Sequence, residues 1–130
     1  MSTVLLDTHV LHWWAVEPNR LSTAATRAVR SADELAVASV SWYELAWLAQ
    51  HGRIVLEMPI RSWLGDLAGD VRTMSTTTAI AATAVALPDS FPSDPADRII
   101  YATAIEHGWP LVTRDEGMRS HGHRRKITIW

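Results

Sequence analysis

The chain has no cysteine among its 130 residues, and this absence removes several kinds of chemistry. A disulfide framework, a thiolate zinc site and a cysteine nucleophile are all excluded. Its apolar stretches are interrupted by Asp, His, Glu or Arg well before the roughly 18 residues that a membrane-spanning helix needs. The first residues, 1–7, also lack a basic segment ahead of an apolar one. We therefore expect a soluble cytoplasmic protein whose site uses oxygen or nitrogen groups.

Basic residues are unevenly placed along the chain. The formal net charge of −2 argues only weakly against a nucleic-acid partner, because the distribution matters more than the sum. A basic segment near acidic residues would suit a phosphate-bearing substrate, and a solvated segment without a ligand is the alternative. The last 17 residues contain Arg114, Arg119, Arg124, Arg125 and Lys126.

Short apolar runs alternate with segments of helical spacing, and no internal repeat, low-complexity tract or linker separates them. A chain of this length fits one domain, residues 1–130, around a single core. The alternation predicts an α/β fold with a mainly parallel central sheet of four or five strands and helices on both faces. The predicted strands are 3–6, 35–38, 71–75, 111–113 and 127–129; the predicted helices are 8–15, one from Ser22, 42–51, 59–67, 78–87 and 95–107.

The longest predicted helix has a well-marked start. Asp94 is expected to be its N-cap and Pro95 its first residue, with Asp97 in the first turn, so that two carboxylates crowd one helix N-terminus. A cap and a first-turn acid are common without any ligand. Asp94 is therefore an N-cap first, with a role in a site left open.

Four acids follow strands or begin helices at what should be one end of the sheet: Asp7, Glu44, Asp97 and Asp115. Ligands of open α/β sheets bind at the carboxyl ends of the strands. Two of the acids have a purely structural alternative. Asp7 could cap the helix that follows it, with Thr8 sharing that role, and Glu44 could complete a capping box with Ser41.

Four clustered carboxylates would repel one another unless a cation balanced them. A hard divalent ion, Mg²⁺ or Mn²⁺, takes oxygen ligands and can activate water for an in-line phosphoryl displacement. The pattern therefore indicates phosphodiester hydrolysis without a protein nucleophile.

The sequence resembles PIN-domain ribonucleases, in particular the VapC-type toxins of bacterial toxin–antitoxin pairs. The resemblance spans nearly the whole chain, and the four motifs together are fairly specific although each alone is weak. They are Val4-Leu5-Leu6-Asp7-Thr8, Ser41-Trp42-Tyr43-Glu44-Leu45, the segment 94–104 that begins Asp94-Pro95-Ala96-Asp97-Arg98, and Leu111-Val112-Thr113-Arg114-Asp115.

The resemblance implies roles for the matching residues. Asp7, Glu44 and Asp97 correspond to the core catalytic and metal-binding acids, and Asp115 to a more variable fourth. Thr8, Thr113 and Asp94 correspond to accessory positions. The resemblance further implies a Mg²⁺- or Mn²⁺-dependent endoribonuclease, silenced by a VapB-like antitoxin and forming homodimers.

Contacts with RNA and antitoxin can be assigned only as expectations. For the antitoxin we expect the tryptophans Trp13, Trp14 and Trp42 as anchors, because tryptophan is enriched at interfaces. Trp47 and Trp109 are expected in the core, and His9 and His12 in packing or an interface. A zinc site at His121-Gly122-His123 lacks further ligands at suitable spacing. The candidates for RNA binding are Arg98, Arg114, Arg119, Arg124 and Arg125.

Two other protein classes would also gather acids at strand ends. A receiver-like phosphoacceptor domain needs a lysine after a late strand, and the only lysine here is Lys126. A catalytically inactive PIN-like binding module would have lost an acid, whereas all four are present. RNA cleavage in the presence of a divalent metal separates these alternatives.

Overall fold

The computed structural model describes residues 1–122 and 126–130, which contain a five-stranded sheet with the order β3-β2-β1-β4-β5. Every neighbouring pair of strands is parallel, which confirms the predicted α/β sheet. β1 lies at its centre and pairs with β2 and β4. The strands are β1 Thr3–Leu6, β2 Glu34–Ala38, β3 Arg72–Met74, β4 Leu111–Val112 and β5 Thr128–Ile129.

The helices follow the predicted order with two additions. A 3-10 helix, Pro18–Arg20, and the four-residue helix α7 were not predicted. No helix in the described ranges is both long enough and apolar enough to cross a membrane. The helices are α1 Thr8–Val16, α2 Thr23–Ser31, α3 Val40–Gln50, α4 Ile60–Ala68, α5 Thr78–Ala86, α6 Pro95–His107 and α7 Glu116–Arg119.

Both faces of the sheet are covered, as its apolar strands require. On one face, Val4 and Leu6 of β1 belong to a core cluster with residues of α1, α2, α3 and α4. On the other face, Leu5 packs with α6, α7 and Phe91. Side chains of a strand point alternately to opposite faces, so burial on both sides explains why β1 is apolar throughout.

The start of α6 is as predicted. Asp94 is the N-cap and its Oδ1 accepts a hydrogen bond from the backbone N–H of Ala96 at 3.1 Å, with Pro95 as the first helical residue. Asp97 lies in the first turn. The helix ends at Gly108, whose φ of 69° is the left-handed conformation that glycine adopts at low cost. At the opposite, N-terminal end of α6, the carboxylates of Asp94 and Asp97 lie close together.

The predicted capping box in α3 is wrong. The helix begins at Val40, so Ser41 lies inside it and is fully buried. The hydroxyl of Ser41 is hydrogen-bonded to the hydroxyl of Thr8 at 2.9 Å, and it caps no backbone group. Glu44 is consequently free of a capping role and belongs to the site described below.

Arg98 is not retained as a candidate for RNA binding, because its guanidinium is already fully used. Its Nε donates to the carbonyl of Pro92 at 3.0 Å, and Nη1 and Nη2 donate to four further carbonyls. Those carbonyls are on Ala84, Leu87, Pro88 and Phe91. Arg98 thus holds the connection between α5 and α6 against the first turn of α6.

Two of the tryptophans are placed differently from the prediction. Trp47, expected in the core, has 41% of its surface exposed, whereas Trp13 retains only 8%. Trp14 and Trp42 are half-buried and pack against the core cluster of α1 to α4. Trp13 therefore offers little surface to a partner, and Trp47 offers much more.

Candidate active site

An open cavity of about 580 Å³ lies at the carboxyl ends of β1 and β4, and we call it the acid cavity. The four acids predicted from the sequence all line it, and Asp94 joins them. Its other lining residues come from α1, α7 and the connection after β4. The complete lining is Asp7, Thr8, His9, Trp13, Glu44, Asp94, Asp97, Arg114, Asp115, Glu116 and Arg119.

Asp7 is the most buried of these acids, with 7% of its surface exposed. Its Oδ1 accepts the backbone N–H of Thr8 at 2.8 Å, so it also caps α1, as the structural alternative predicted. Its Oδ2 accepts the hydroxyl of Thr113 at 2.7 Å. Burial raises the pKa of Asp7 above its usual value, and the two hydrogen bonds oppose that rise by stabilising the carboxylate. Asp7 is thus both a cap and a wall of the cavity.

Glu44 reaches the cavity from the first half of α3. Its Oε1 accepts a hydrogen bond from the hydroxyl of Thr8, which fixes the long side chain. Burial raises the pKa of Glu44, the hydrogen bond from Thr8 opposes this rise, and the nearby charges of Asp7 and Asp94 add to it. Thr8 therefore holds Glu44 as Thr113 holds Asp7, which gives each accessory threonine a definite contact.

Asp97 has the most perturbed carboxyl group of the cavity. Burial, followed by the charges of the surrounding acids, raises its pKa to about 7. No group in residues 1–122 or 126–130 donates a hydrogen bond to its carboxylate. A half-buried carboxylate without a donor and surrounded by negative charge is costly unless a proton or a cation joins it. The contributing neighbours are Asp94, Asp7, Asp115 and Glu44.

Three carboxylates come closest together. One oxygen each of Glu44, Asp94 and Asp97 lie within 4.8 Å of one another. Asp94 is therefore both an N-cap and a member of the cluster. Asp115 lies further along the wall, where its Oδ1 caps α7 by accepting the N–H of Met118 at 2.9 Å.

This donor set fits a hard divalent cation. It consists of carboxylate oxygens from α3 and from the start of α6, and Mg²⁺ and Mn²⁺ prefer such oxygens as ligands. Burial, followed by the surrounding negative charge, raises the pKa of Asp97, and a bound cation would offset that negative charge. Glu44, Asp94 and Asp97 are the residues placed to hold such an ion, with Asp7 and Asp115 beside them.

Positive charge lies at the rim of the acid cavity. The exposed residues Arg114 and Arg119 line it, as expected of groups that contact phosphates. His9, predicted only for packing or an interface, also lines the cavity, and its position two residues after Asp7 could have signalled this. Glu116 was missed because it belongs to the unpredicted α7. The candidates Arg124 and Arg125, like His123 of the set-aside zinc pair, lie outside the described residues.

A second, more apolar groove of about 480 Å³ adjoins the acid cavity, and we call it the aromatic groove. Tyr43 and Trp47, one helical turn apart on α3, are exposed along it by 70% and 41%. Glu44 and Asp94 line both the groove and the acid cavity. The apolar strip therefore ends at negative charge.

Comparison with known proteins identifies the class to which this fold and this site belong. The family model described as PIN domain matches residues 4–123. The chain therefore belongs to the PIN-domain family. Over its full 130 residues it is 64% identical to the whole of Ribonuclease VapC22 from Mycobacterium tuberculosis (strain ATCC 25618 / H37Rv). This membership excludes the receiver-like alternative.

Solved structures show the same fold at low sequence identity. A toxin–antitoxin complex from Klebsiella pneumoniae contains a chain with a TM-score of 0.64 and 22% identity, covering 86% of each chain. VapBC2 from Rickettsia felis, solved bound to a DNA fragment from its promoter, gives a TM-score of 0.64 at 14% identity, covering 87% of this chain and 88% of that one.

Proposed function

We propose that residues 1–130 form one nuclease domain, a Mg²⁺- or Mn²⁺-dependent endoribonuclease that acts as the toxin of a toxin–antitoxin pair in the cytoplasm. The observation that carries the proposal is the convergence of carboxylates from separate elements on one cavity with arginines at its rim. The 64% identity to a ribonuclease over the whole chain supports RNA as the substrate.

The residues of the acid cavity would have three roles: binding the metal, positioning the carboxylates and binding phosphates. A bound divalent cation supplies polarisation of water and of phosphoryl oxygens. Glu44, Asp94 and Asp97 would hold it, while Thr8 and Thr113 keep the carboxylates of Glu44 and Asp7 in place. The guanidinium groups of Arg114 and Arg119, at the rim of the acid cavity, would bind phosphates flanking the cleaved bond.

The aromatic groove is suited to the antitoxin. An amphipathic segment could bury Tyr43 and Trp47 and place an Arg or Lys against Glu44 and Asp94, with which no residue in 1–122 or 126–130 forms an ion pair. Such a cation would compete with the metal, and the antitoxin would thereby inhibit cleavage. We therefore propose Tyr43 and Trp47 as anchors in place of Trp13, Trp14 and Trp42.

Calorimetric titration with the cognate antitoxin tests this placement. Trp47→Ala should weaken the complex at least about tenfold, since an aromatic anchor contributes about 2 kcal/mol or more. Trp14→Ala is the matched control, and it should bind antitoxin as the parent does provided that it folds. If Trp14→Ala weakened the complex and Trp47→Ala did not, the antitoxin interface would lie at Trp14 instead.

Cleavage of purified RNA tests the proposed activity. The protein should cut total cellular RNA in Mg²⁺ or Mn²⁺, stop when EDTA removes the metal, and stop again when antitoxin is added. Internal fragments, rather than release of single nucleotides, would establish endonucleolytic cutting. A folded protein that leaves RNA intact in both metals would instead support the inactive PIN-like module.

The homodimer that the resemblance implies remains a prediction. Analytical ultracentrifugation of the isolated protein decides it, because the sedimentation coefficient separates one copy from two. A sedimentation coefficient of a single copy at all concentrations would contradict it.

A further inference from the structure

A second basic surface lies outside the acid cavity. Thr23, Thr26, Arg27 and Arg30 are three and four residues apart, so their side chains share one face of α2. They border a cleft of about 550 Å³. Both arginines are exposed, and neither forms an ion pair with any residue in the described part of the chain.

This cleft continues into a neighbouring one of about 490 Å³. The two share Leu21, Thr26 and Arg30, and the second adds Asn19 and the half-buried ring of Trp14. Trp14 packs against the core cluster and also lines this open cleft. The surface thus combines guanidinium, hydroxyl and amide groups with one aromatic ring. We call it the α2 face and define it by Trp14, Asn19, Thr26, Arg27 and Arg30.

Two further arginines, Arg20 and Arg114, lie near the ring of Trp13 at the edge of the acid cavity. The guanidinium carbon of Arg20 lies 5.6 Å from the ring centroid of Trp13, and that of Arg114 lies 5.9 Å from the same centroid. Trp13 and Arg114 line the acid cavity. Arg20 ends the 3-10 helix, whose Pro18 and Asn19 line the second cleft. Of these arginines, Arg20 forms an ion pair, with Glu17 at 2.7 Å.

We propose that the α2 face is an RNA-binding site remote from the cleaved bond, an inference that rests on the proposed ribonuclease function. Arginine, threonine and asparagine are residues that donate hydrogen bonds to phosphate oxygens, and arginine does so with two donors at once. The ring of Trp14 offers a stacking surface for an unpaired base. RNA fits better than a protein partner because the face is rich in unpaired cationic groups.

The consequence concerns the length of the substrate. An RNA that reaches only the acid cavity would contact Arg114 and Arg119, whereas a longer one would follow Arg20 to Arg27 and Arg30. The α2 face should therefore favour long RNA over short RNA without altering the chemistry of cleavage.

Cleavage of two labelled RNAs of mixed sequence tests the inference. One has about six nucleotides, near the lower end of the roughly 4–16 that a single-strand site covers, and the other has about thirty, well beyond its upper end. The variant Arg27→Gln/Arg30→Gln removes two charges from the α2 face. Its control, Arg61→Gln/Arg72→Gln, removes two exposed arginines from α4 and the edge strand β3.

The double variant at Arg27 and Arg30 should cut the short RNA at the parent rate. For the long RNA, the slope of log(kcat/KM) against log[salt] should become less steep by about 1.4, because each of the two lost phosphate contacts accounts for about 0.7. The control variant should keep the parent slope. Trp14→Leu, which retains apolar packing, should weaken use of the long RNA without changing the slope, because stacking releases no counterions.

Three results would overturn the inference. In the first, the parent cuts both RNAs and the Arg27→Gln/Arg30→Gln variant shows the same salt dependence of kcat/KM as the parent. This would refute RNA binding by the α2 face and leave the proposed ribonuclease function intact. Weaker antitoxin binding with unchanged use of long RNA would assign the face to the protein partner. Failure of the parent to cut either RNA would refute the ribonuclease and this inference together.

Discussion

The hydroxyl of Thr113 donates a hydrogen bond to Oδ2 of Asp7 at 2.7 Å, joining residues that are 106 positions apart. The same hydroxyl accepts the backbone N–H of Asp115 at 3.0 Å. Thr113 is fully buried just after β4. Its hydroxyl therefore positions both the carboxylate of Asp7 after β1 and the backbone of Asp115, a second acid of the cavity. The parallel pairing of β1 with β4 makes this contact possible.

Replacing Thr113 by Val should weaken metal binding through Asp7. The hydrogen bond lowers the pKa of Asp7, so its loss raises that pKa further and leaves less carboxylate at neutral pH. A hydrogen bond to a charged group contributes about 1.5–3 kcal/mol, so Mn²⁺ affinity near pH 7 should fall about tenfold or more. Calorimetric titration with Mn²⁺ measures this. Thr113→Ser keeps the hydroxyl and should bind as the parent does; equal affinities of Val and Ser variants would contradict the role.

Without metal, the protein should lose stability as the pH rises. The pKa of Asp97 is 3.8 in the unfolded chain and about 7 in the folded one, so between these values the unfolded chain binds fewer protons. Stability is therefore highest at low pH within this window and falls toward pH 7. The raised pKa values of Asp7 and Glu44 act in the same direction.

Thermal melts in EDTA from about pH 5 to about pH 7.5 check this pH dependence. Mg²⁺ should restore stability at the upper end, because it binds the ionised carboxylates of the folded state. Asp97→Asn should flatten the EDTA curve. A parent whose stability rises through this range, or that Mg²⁺ does not affect, would contradict the interpretation of the cluster.

Arg98 should prove structural. Arg98→Gln removes donors from carbonyls of the connection between α5 and α6, and should cost about 2 kcal/mol or more of unfolding free energy. Arg98→Lys keeps the charge but cannot supply the same fork of donors, so it should be nearly as unstable. Urea denaturation measures both variants. If Arg98→Lys were as stable as the parent while RNA binding fell in Arg98→Gln, the residue would return to the RNA-binding candidates.

Asp94 should combine two roles that substitution can separate. Asp94→Asn retains a capping oxygen for the N–H of Ala96 but removes one charge from the cluster, so it should lower metal affinity with little loss of stability. Asp94→Ala should lower metal affinity too and also cost about 0.5–2 kcal/mol of stability. Thermal melts and Mn²⁺ titration on both variants test this, and unchanged metal affinity in both would leave Asp94 only a cap.

Local patterns in the sequence were enough to predict the sheet and the acids. The apolar run 3–6 ends at Asp7, and a strand buried on both faces leaves few other interpretations. The pair Asp94-Pro95 marks the start of α6 for purely local reasons. The acids meet because parallel strands bring their carboxyl ends to the same edge of the sheet.

The errors came from contacts between distant segments. Ser41 bonds Thr8, 33 residues away, and no local pattern shows this. The five donors of Arg98 depend on the path of the chain before α6. Trp47 was misplaced because α3 is apolar around most of its circumference, so its periodicity does not identify the buried side.

The substitution Asp97→Asn shows whether Asp97 and its neighbours form a metal-dependent RNA-cleaving site. The substitution nearly preserves shape, and Asp97 accepts no hydrogen bond from the described residues, so the variant should fold. Mutating a residue that only supports a metal ligand typically lowers metal affinity or activity about 10–100-fold. Removing the charge of a ligand itself should therefore reduce Mg²⁺-dependent cleavage by about a hundredfold or more. Asp70→Asn, an exposed acid after α4, is the matched control and should cleave as the parent does. A folded Asp97→Asn protein that cuts RNA at the parent rate would show that Asp97 has no part in a metal-dependent cleavage site.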